Sequence, residues 1–189
     1  MKSRLWVNGA IAGLAATAAS GSVTLYFTAD ATDYTIGDTL TWTVSAAFSG
    51  YDDPTAYFGG FVGDFLANDP GFGSAHSFEN FMSFEGTHPA PNGASLNGIN
   101  IFNAALLGTD DQSNPIQIAR FSVTMDAVGS LSYDASGVVT MFADDGVLTI
   151  GETITDFEVV SSRVVWIPSP GAIAVLACGG AWGARRRRR

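Results

Sequence analysis

Between residues 39 and 44 hydroxyl and large apolar side chains alternate without a break: Thr39, Leu40, Thr41, Trp42, Thr43, Val44. Successive side chains of a strand point to opposite faces, so a period of two puts Leu40, Trp42 and Val44 on one side and the threonines on the other. A helix would scatter the same residues around its circumference, so the segment is expected as a strand with one face on the core. Residues 23–27, 116–123, 138–142 and 154–160 are likewise rich in β-branched and aromatic residues. Turn formers separate these runs, among them Ile36-Gly37-Asp38, Asp134-Ala135-Ser136-Gly137 and Asp144-Asp145-Gly146. Their regular spacing in the C-terminal half predicts an all-β fold, an antiparallel β-sandwich.

The stretch from 59 to 97 is looser, with many Gly, Asn and Pro, and reads as long loops around one apolar element at 78–84. A short helix is expected around Ala104, Ala105, Leu106 and Leu107. One internal echo is visible: residues 35–41, TIGDTLT, and residues 149–155, TIGETIT, differ only by conservative exchanges. Glycine supplies the freedom of a turn and the acid caps it, so the echo predicts equivalent strand entries in the two sheets.

The ends differ from the middle. Lys2 and Arg4 precede an apolar stretch closed by small residues, with Ala16-Thr17-Ala18 and Ala18-Ala19-Ser20 as small-x-small sites. This is the order of a secretory signal helix, with its cut between Ala18 and Gly21. At the other end Pro168, Ser169 and Pro170 break the chain before an Ala- and Gly-rich apolar stretch, 171–184, and the run Arg185, Arg186, Arg187, Arg188, Arg189. That stretch is short against the ~20 residues that cross a bilayer as a helix, and the arginines act as a cytoplasmic stop. The expected organisation is a signal peptide at 1–20, a β-sandwich at 21–167 and a sorting tail with a short membrane helix at 168–189.

The proline triplet, short apolar helix and terminal arginine cluster, in that order, resemble the PEP-CTERM sorting signal of Gram-negative bacteria, with Ser169 where that family has glutamate. The resemblance implies export, an inner-membrane intermediate, an exosortase-like enzyme as partner, and a destination at the cell surface, in the outer envelope or outside the cell. It covers the tail alone. In the body, the Gly-Asp-Thr entry at 37–39 and Asn114-Pro115 leading into a strand with Arg120 and Phe121 are loosely similar to cohesin-like and carbohydrate-binding β-sandwiches. The sandwich is accordingly expected to be of jelly-roll or immunoglobulin/cohesin-like type.

All 18 acidic residues lie in 21–167, against Arg120 and Arg163 as its cations, a formal charge of −16. Such a body repels phosphate backbones, so nucleic acid is excluded as a partner, and the tail arginines do not read as a nuclear or nucleic-acid signal. The one cysteine, Cys178, sits in the tail, so no disulfide braces the body.

Candidate chemistry is sparse. Residues 141–152 place Asp145, Gly146 and Glu152 at three positions of a calcium-loop spacing, but Met141 and Ala143 fall where ligands belong, and an Asp-Gly hairpin turn accounts for them better. Asp52-Asp53, and Asp110-Asp111 with Asn114, remain open as loop-bound calcium sites or as solvated turns. His76 and His88 have no metal-ligand spacing. Glu79 and Glu85, among Phe78, Phe81 and Phe84, are the first choice for a glycosidase pair, against the simpler reading of solvated acids at a strand edge. The aromatics Tyr51, Tyr57, Phe58, Phe61, Phe65 and Phe72 are either core or a platform for stacking on sugars. No cofactor is implied. The function expected is that of an exported surface or extracellular-matrix protein with a structural or adhesive role and no catalysis, associated with exopolysaccharide. The alternatives are a glycan-binding module and, third, a secreted glycoside hydrolase.

Overall fold

A computed structural model describes residues 21–51, 55–103, 113–144 and 149–169. The leader at 1–20, the expected helix at 104–107, Asp52-Asp53, Asp110-Asp111, Asp145, Pro170, and the tail from 171 through Arg185–Arg189 lie outside the described residues.

The strands in chain order are β1 (Ser22–Ala29), β2 (Asp33–Tyr34), β3 (Thr39–Ser49), β4 (Tyr57–Ala67), β5 (Gly73–Asn80), β6 (Phe84–Thr87) and β7 (Ala90–Asn92). They continue as β8 (Ser95–Phe102), β9 (Ile116–Met125), β10 (Ser130–Leu131), β11 (Tyr133–Asp144), β12 (Thr149–Ile154), β13 (Glu158–Ser161) and β14 (Val164–Trp166). The first sheet has the order β13-β1-β3-β9-β5, and the second β12-β11-β4-β8-β6 with β7 beside β8. A small third sheet, β10-β14-β2, closes one end. The pairing is antiparallel except for two parallel pairs, β1 with β13 and β14 with β2, so the expected antiparallel sandwich is in fact mixed.

Alternation builds the core as the sequence predicts. Leu40, Trp42 and Val44 of β3 are buried, and Val23, Leu25 and Phe27 of β1 join them. Rings from the two sheets interlock: Phe27 meets Phe65 edge-on at 4.9 Å and Trp42 meets Tyr133 at 4.7 Å, geometries that suit the ring quadrupoles. The Tyr133 hydroxyl donates to the Ala94 carbonyl at 2.6 Å, and burial pushes its ionisation upward.

Three expectations are corrected. The glycine-rich stretch is not loop: β4, β5, β6, β7 and β8 run through it. Glycine there marks close approach, not flexibility. Gly63 faces Gly137 across the β4-β11 pair, and a Cβ on either would strike backbone carbonyl oxygen of the partner strand. At Gly60 the ring of Phe102 occupies the side-chain space, with Cδ1 2.7 Å from where a Cβ would sit. The run at 154–160 is not one strand either. It breaks between β12 and β13, which belong to different sheets, so the chain crosses the sandwich there. The echo also divides. Residues 35–38 form a turn, Asp38 Oδ2 accepting from the Thr35 amide at 2.7 Å, whereas Gly151 lies within β12 opposite Phe142. Similar local sequence took different backbone states because the partners differ.

Candidate functional site

The two outer faces differ: the first is mostly hydroxyl, with Tyr26 and Val160 paired as an exposed apolar spot at its β1-β13 edge, and the second carries a longer apolar row. On the first, register sets Thr28, Thr43, Arg120 and Glu79 in one row across β1, β3, β9 and β5, with Thr41, Ser122 and His76 in the next and Thr39, Thr124 and Ser74 beyond it. The hydroxyls are bonded to one another: Thr39 and Thr124 are 3.0 Å apart, and His76 Nε2 lies 3.1 Å from Thr124 Oγ1. Arg120 Nη2 donates to Glu79 Oε2 at 2.5 Å, with its guanidinium 5.4 Å from the Phe81 ring centroid.

On the second sheet one row runs Phe84, Phe102, Gly60, Thr140, Thr153 across all five main strands. The next sets Asn100, Val62 and Val138 side by side, and Leu66 stands further along β4 opposite Asp134. Phe84 is 58% exposed and Val62 42% exposed, while Phe102 and Val138 are half-buried between them. At Gly60 a Cβ would meet the Ile101 carbonyl oxygen and the Phe102 ring, so glycine leaves room for both. Asp64 is tied into the sheet, its Oδ1 accepting from the Gly98 amide at 2.8 Å. At the lower end the strip opens into a groove of about 690 Å³ whose walls include Leu66, Tyr133, Asp134 and Arg163. An apolar sheet face of this kind, left in water, is the usual mark of a docking surface.

The residues singled out in the sequence are dispersed. Glu79 pairs with Arg120 on the first sheet, whereas Glu85 lies in β6 of the second with its Oε1 2.8 Å from His88 Nδ1. Each carboxylate has its own partner, in a different layer, so they do not form a glycosidase pair. Asn114 is engaged at both amide atoms by Phe48, accepting from its nitrogen at 3.1 Å and donating to its oxygen at 2.6 Å, and is thereby withdrawn from metal ligation. β11 and β12 pair antiparallel up to Asp144 opposite Thr149, and the Asp145-Gly146 turn expected between them lies outside the described residues. Among the described residues no group of three or more His, Cys, Asp or Glu is placed to hold a metal. Tyr57, Phe58, Phe61 and Phe65 are buried, so they are core and not a sugar platform. Tyr51 is half-buried at the edge of Gly21, and burial, reinforced by the charge of Glu152, pushes its ionisation up to about 12.

Of the sorting signal, Pro168 and Ser169 are exposed just beyond β14. Val164 is fully buried in β14, so it is not available to lengthen the apolar tail. Among the described residues no helix is long and apolar enough to cross a membrane.

The apolar strip was missed in the sequence because its members come from four strands and are contiguous only in register. The one local signal was Phe84 at the edge of a glycine-rich segment.

No protein-family model matches the chain, and no curated protein does. Solved structures do match. The seventh ScaB type I cohesin of Pseudobacteroides cellulosolvens superposes with a TM-score of 0.54 at 10% identity, over 78% of this chain and 94% of that one. A type I cohesin-dockerin complex from Clostridium thermocellum gives 0.50 at 10% identity, over 76% of this chain and 99% of that one. The second type II cohesin module of the ScaA adaptor scaffoldin of Acetivibrio cellulolyticus gives 0.50 at 12% identity, over 78% and 92%. At such identities the likeness carries the fold: residues 21–169 are built as a β-sandwich similar to cohesin modules.

Proposed function

We propose that the chain is a non-catalytic protein-binding module, exported and held at the cell envelope by its C-terminal tail, whose outer second-sheet face docks a protein partner. The observation that carries the reading is the apolar strip of Phe84, Phe102, Val62, Val138 and Leu66, supported from beneath by a core that fixes its shape. A cohesin-like fold supports it, since one similar structure is a cohesin in complex with a dockerin. The partner's contacting surface is apolar at its centre and cationic at its rim, to complement the strip and the acidic body. Sorting by an exosortase-like enzyme at Pro168, Ser169 and Pro170, with the arginines as stop, accounts for the two ends and gives the domain organisation 1–20, 21–167 and 168–189.

Two measurements test these parts separately. A benzophenone side chain at position 84, in cells that make the protein, is expected to crosslink one protein at defined stoichiometry, and the same group at position 41 on the hydroxyl face to give none. Equal crosslinking from both positions removes the docking face. Intact mass and fractionation of the native product test the tail: loss of residues beyond about 170, in envelope or medium, supports sorting, and a full-length cytoplasmic product with Met1 retained overturns it.

A further inference from the structure

The end of the sandwich from which the tail leaves carries a second group of exposed apolar side chains, with Arg163 of the groove wall at its edge. In β14, Val164 is buried while Val165 and Ile167 stand out from the opposite side, 45% and 43% exposed. Val165 is opposite Ser130 of β10 and Asp33 of β2, and the Trp166 amide bonds to the Gly129 carbonyl, which sets Val128 beside Ile167. The Ile167 amide bonds to the Tyr34 carbonyl, bringing the turn with Ile36 to the other flank. Val128 and Ile36 are each 55% exposed. Register therefore brings the backbone of Val128, Val165, Ile167 and the turn at Ile36 to the strand ends beside Pro168.

The length of the connection says what they meet. After Ile167 come Pro168, Ser169 and Pro170, and the apolar stretch begins at Gly171. Three residues span at most about 10 Å fully extended. If the tail enters a bilayer, as the proposed function holds and on which this inference rests, the four side chains are held within that distance of the headgroups. The charges at the rim select the lipid. Arg163 donates from Nη2 to Ser130 Oγ at 3.1 Å and is exposed at one edge, and Asp33 lies opposite Val165. One cation and one carboxylate together match a zwitterionic headgroup, phosphate to Arg163 and amine to Asp33, and not a purely anionic surface. The wider negative charge of the body is screened beyond a Debye length of about 10 Å at 0.1 M salt.

We propose that, while the tail is inserted, the sandwich rests on the zwitterionic bilayer surface through Ile36, Val128, Val165 and Ile167. This contact orients the molecule. Side chains of this kind enter the boundary between headgroups and acyl chains, and their binding scales with the apolar area they bury.

The test uses the full chain with Cys178→Ser, carrying one environment-sensitive dye at Val128→Cys or, as control at the far end, at Gln117→Cys. Each is reconstituted in phosphatidylcholine/phosphatidylethanolamine vesicles containing a nitroxide-headgroup lipid, and flotation is measured alongside fluorescence. The expected result is flotation with a blue shift and strong quenching at 128 and neither at 117, both lost in Val165→Ser/Ile167→Ser although flotation and thermal unfolding persist. Flotation with no quenching at 128, or equal quenching at both positions, overturns the surface contact and leaves the tail reading intact. Failure to float overturns both.

Discussion

The two outer faces show how one sandwich keeps a hydroxyl-rich side and a more apolar side on the same core. Inward, both sheets bury the same kind of residue: Trp42, Phe121 and Phe27 from one, Phe61, Phe65 and Tyr133 from the other. Outward, the first sheet bonds its hydroxyls in pairs and sets Arg120 against Glu79, leaving Tyr26 and Val160 exposed side by side at its β1-β13 edge. The second offers Phe84, Val62 and Leu66 with nothing of its own to cover them. Gly60, Gly63 and Gly137 let the strands and rings of the second sheet pack close. The first sheet achieves its surface with threonine, whose branched side chain suits a strand and whose hydroxyl suits water.

The largest break in this comparison is predicted at the glycines. Gly63→Ala drives a Cβ into the Ser136 carbonyl and Gly137, and backbone cannot turn aside as a side chain can. A loss of about 3 kcal/mol in urea unfolding is expected, against less than about 0.5 kcal/mol for Thr43→Val on the solvated face. Next comes binding. Phe84→Ser with Val62→Ser is expected to weaken the crosslinked partner's affinity by about 2 kcal/mol, roughly thirtyfold in Kd, while Thr41→Ser with Thr39→Ser leaves it unchanged by calorimetry.

Alkaline pH acts on the edge between the faces. Tyr51 ionises at about 12 in the fold against 10.0 for the free group, so above pH 10 the unfolded chain has already lost a proton that the folded chain keeps. Stability is therefore expected to fall as pH rises from about 10 to 12, and Tyr51→Phe to reduce that fall, the remainder belonging to Tyr133 and Tyr34, whose ionisation burial also raises. At pH 7 the same variant should be neutral, because the Tyr51 hydroxyl is buried with no hydrogen-bond partner among the described residues. The smallest effect belongs to the exposed ion pair: Arg120→Gln is expected to cost no more than about 1 kcal/mol, and less in high salt.

Legibility in the sequence followed the locality of the cause. Residues 39–44 could be read because a strand's facing is written in its own period of two, and the buried trio came out as expected. The turn at Thr35 to Asp38 could be read because a glycine with φ of +95° and a capping acid lie within four residues. β4 and β8 could not, because the space a glycine leaves is filled by Phe102 or by the strand of Gly137, residues far away in the chain. Glu79 and Glu85 looked like neighbours and are not, because the chain passes from one sheet to the other between them.

The central claim is that Phe84's face is covered in its working state and the opposite face is not. Hydroxyl-radical footprinting compares two exposed aromatics directly, Phe84 at 58% and Tyr26 at 39%, on purified protein and on intact cells. The account predicts that Phe84 is oxidised in the purified protein and protected on cells while Tyr26 reacts alike in both. Equal reactivity of Phe84 in the two preparations, or protection shared by Tyr26, would contradict it.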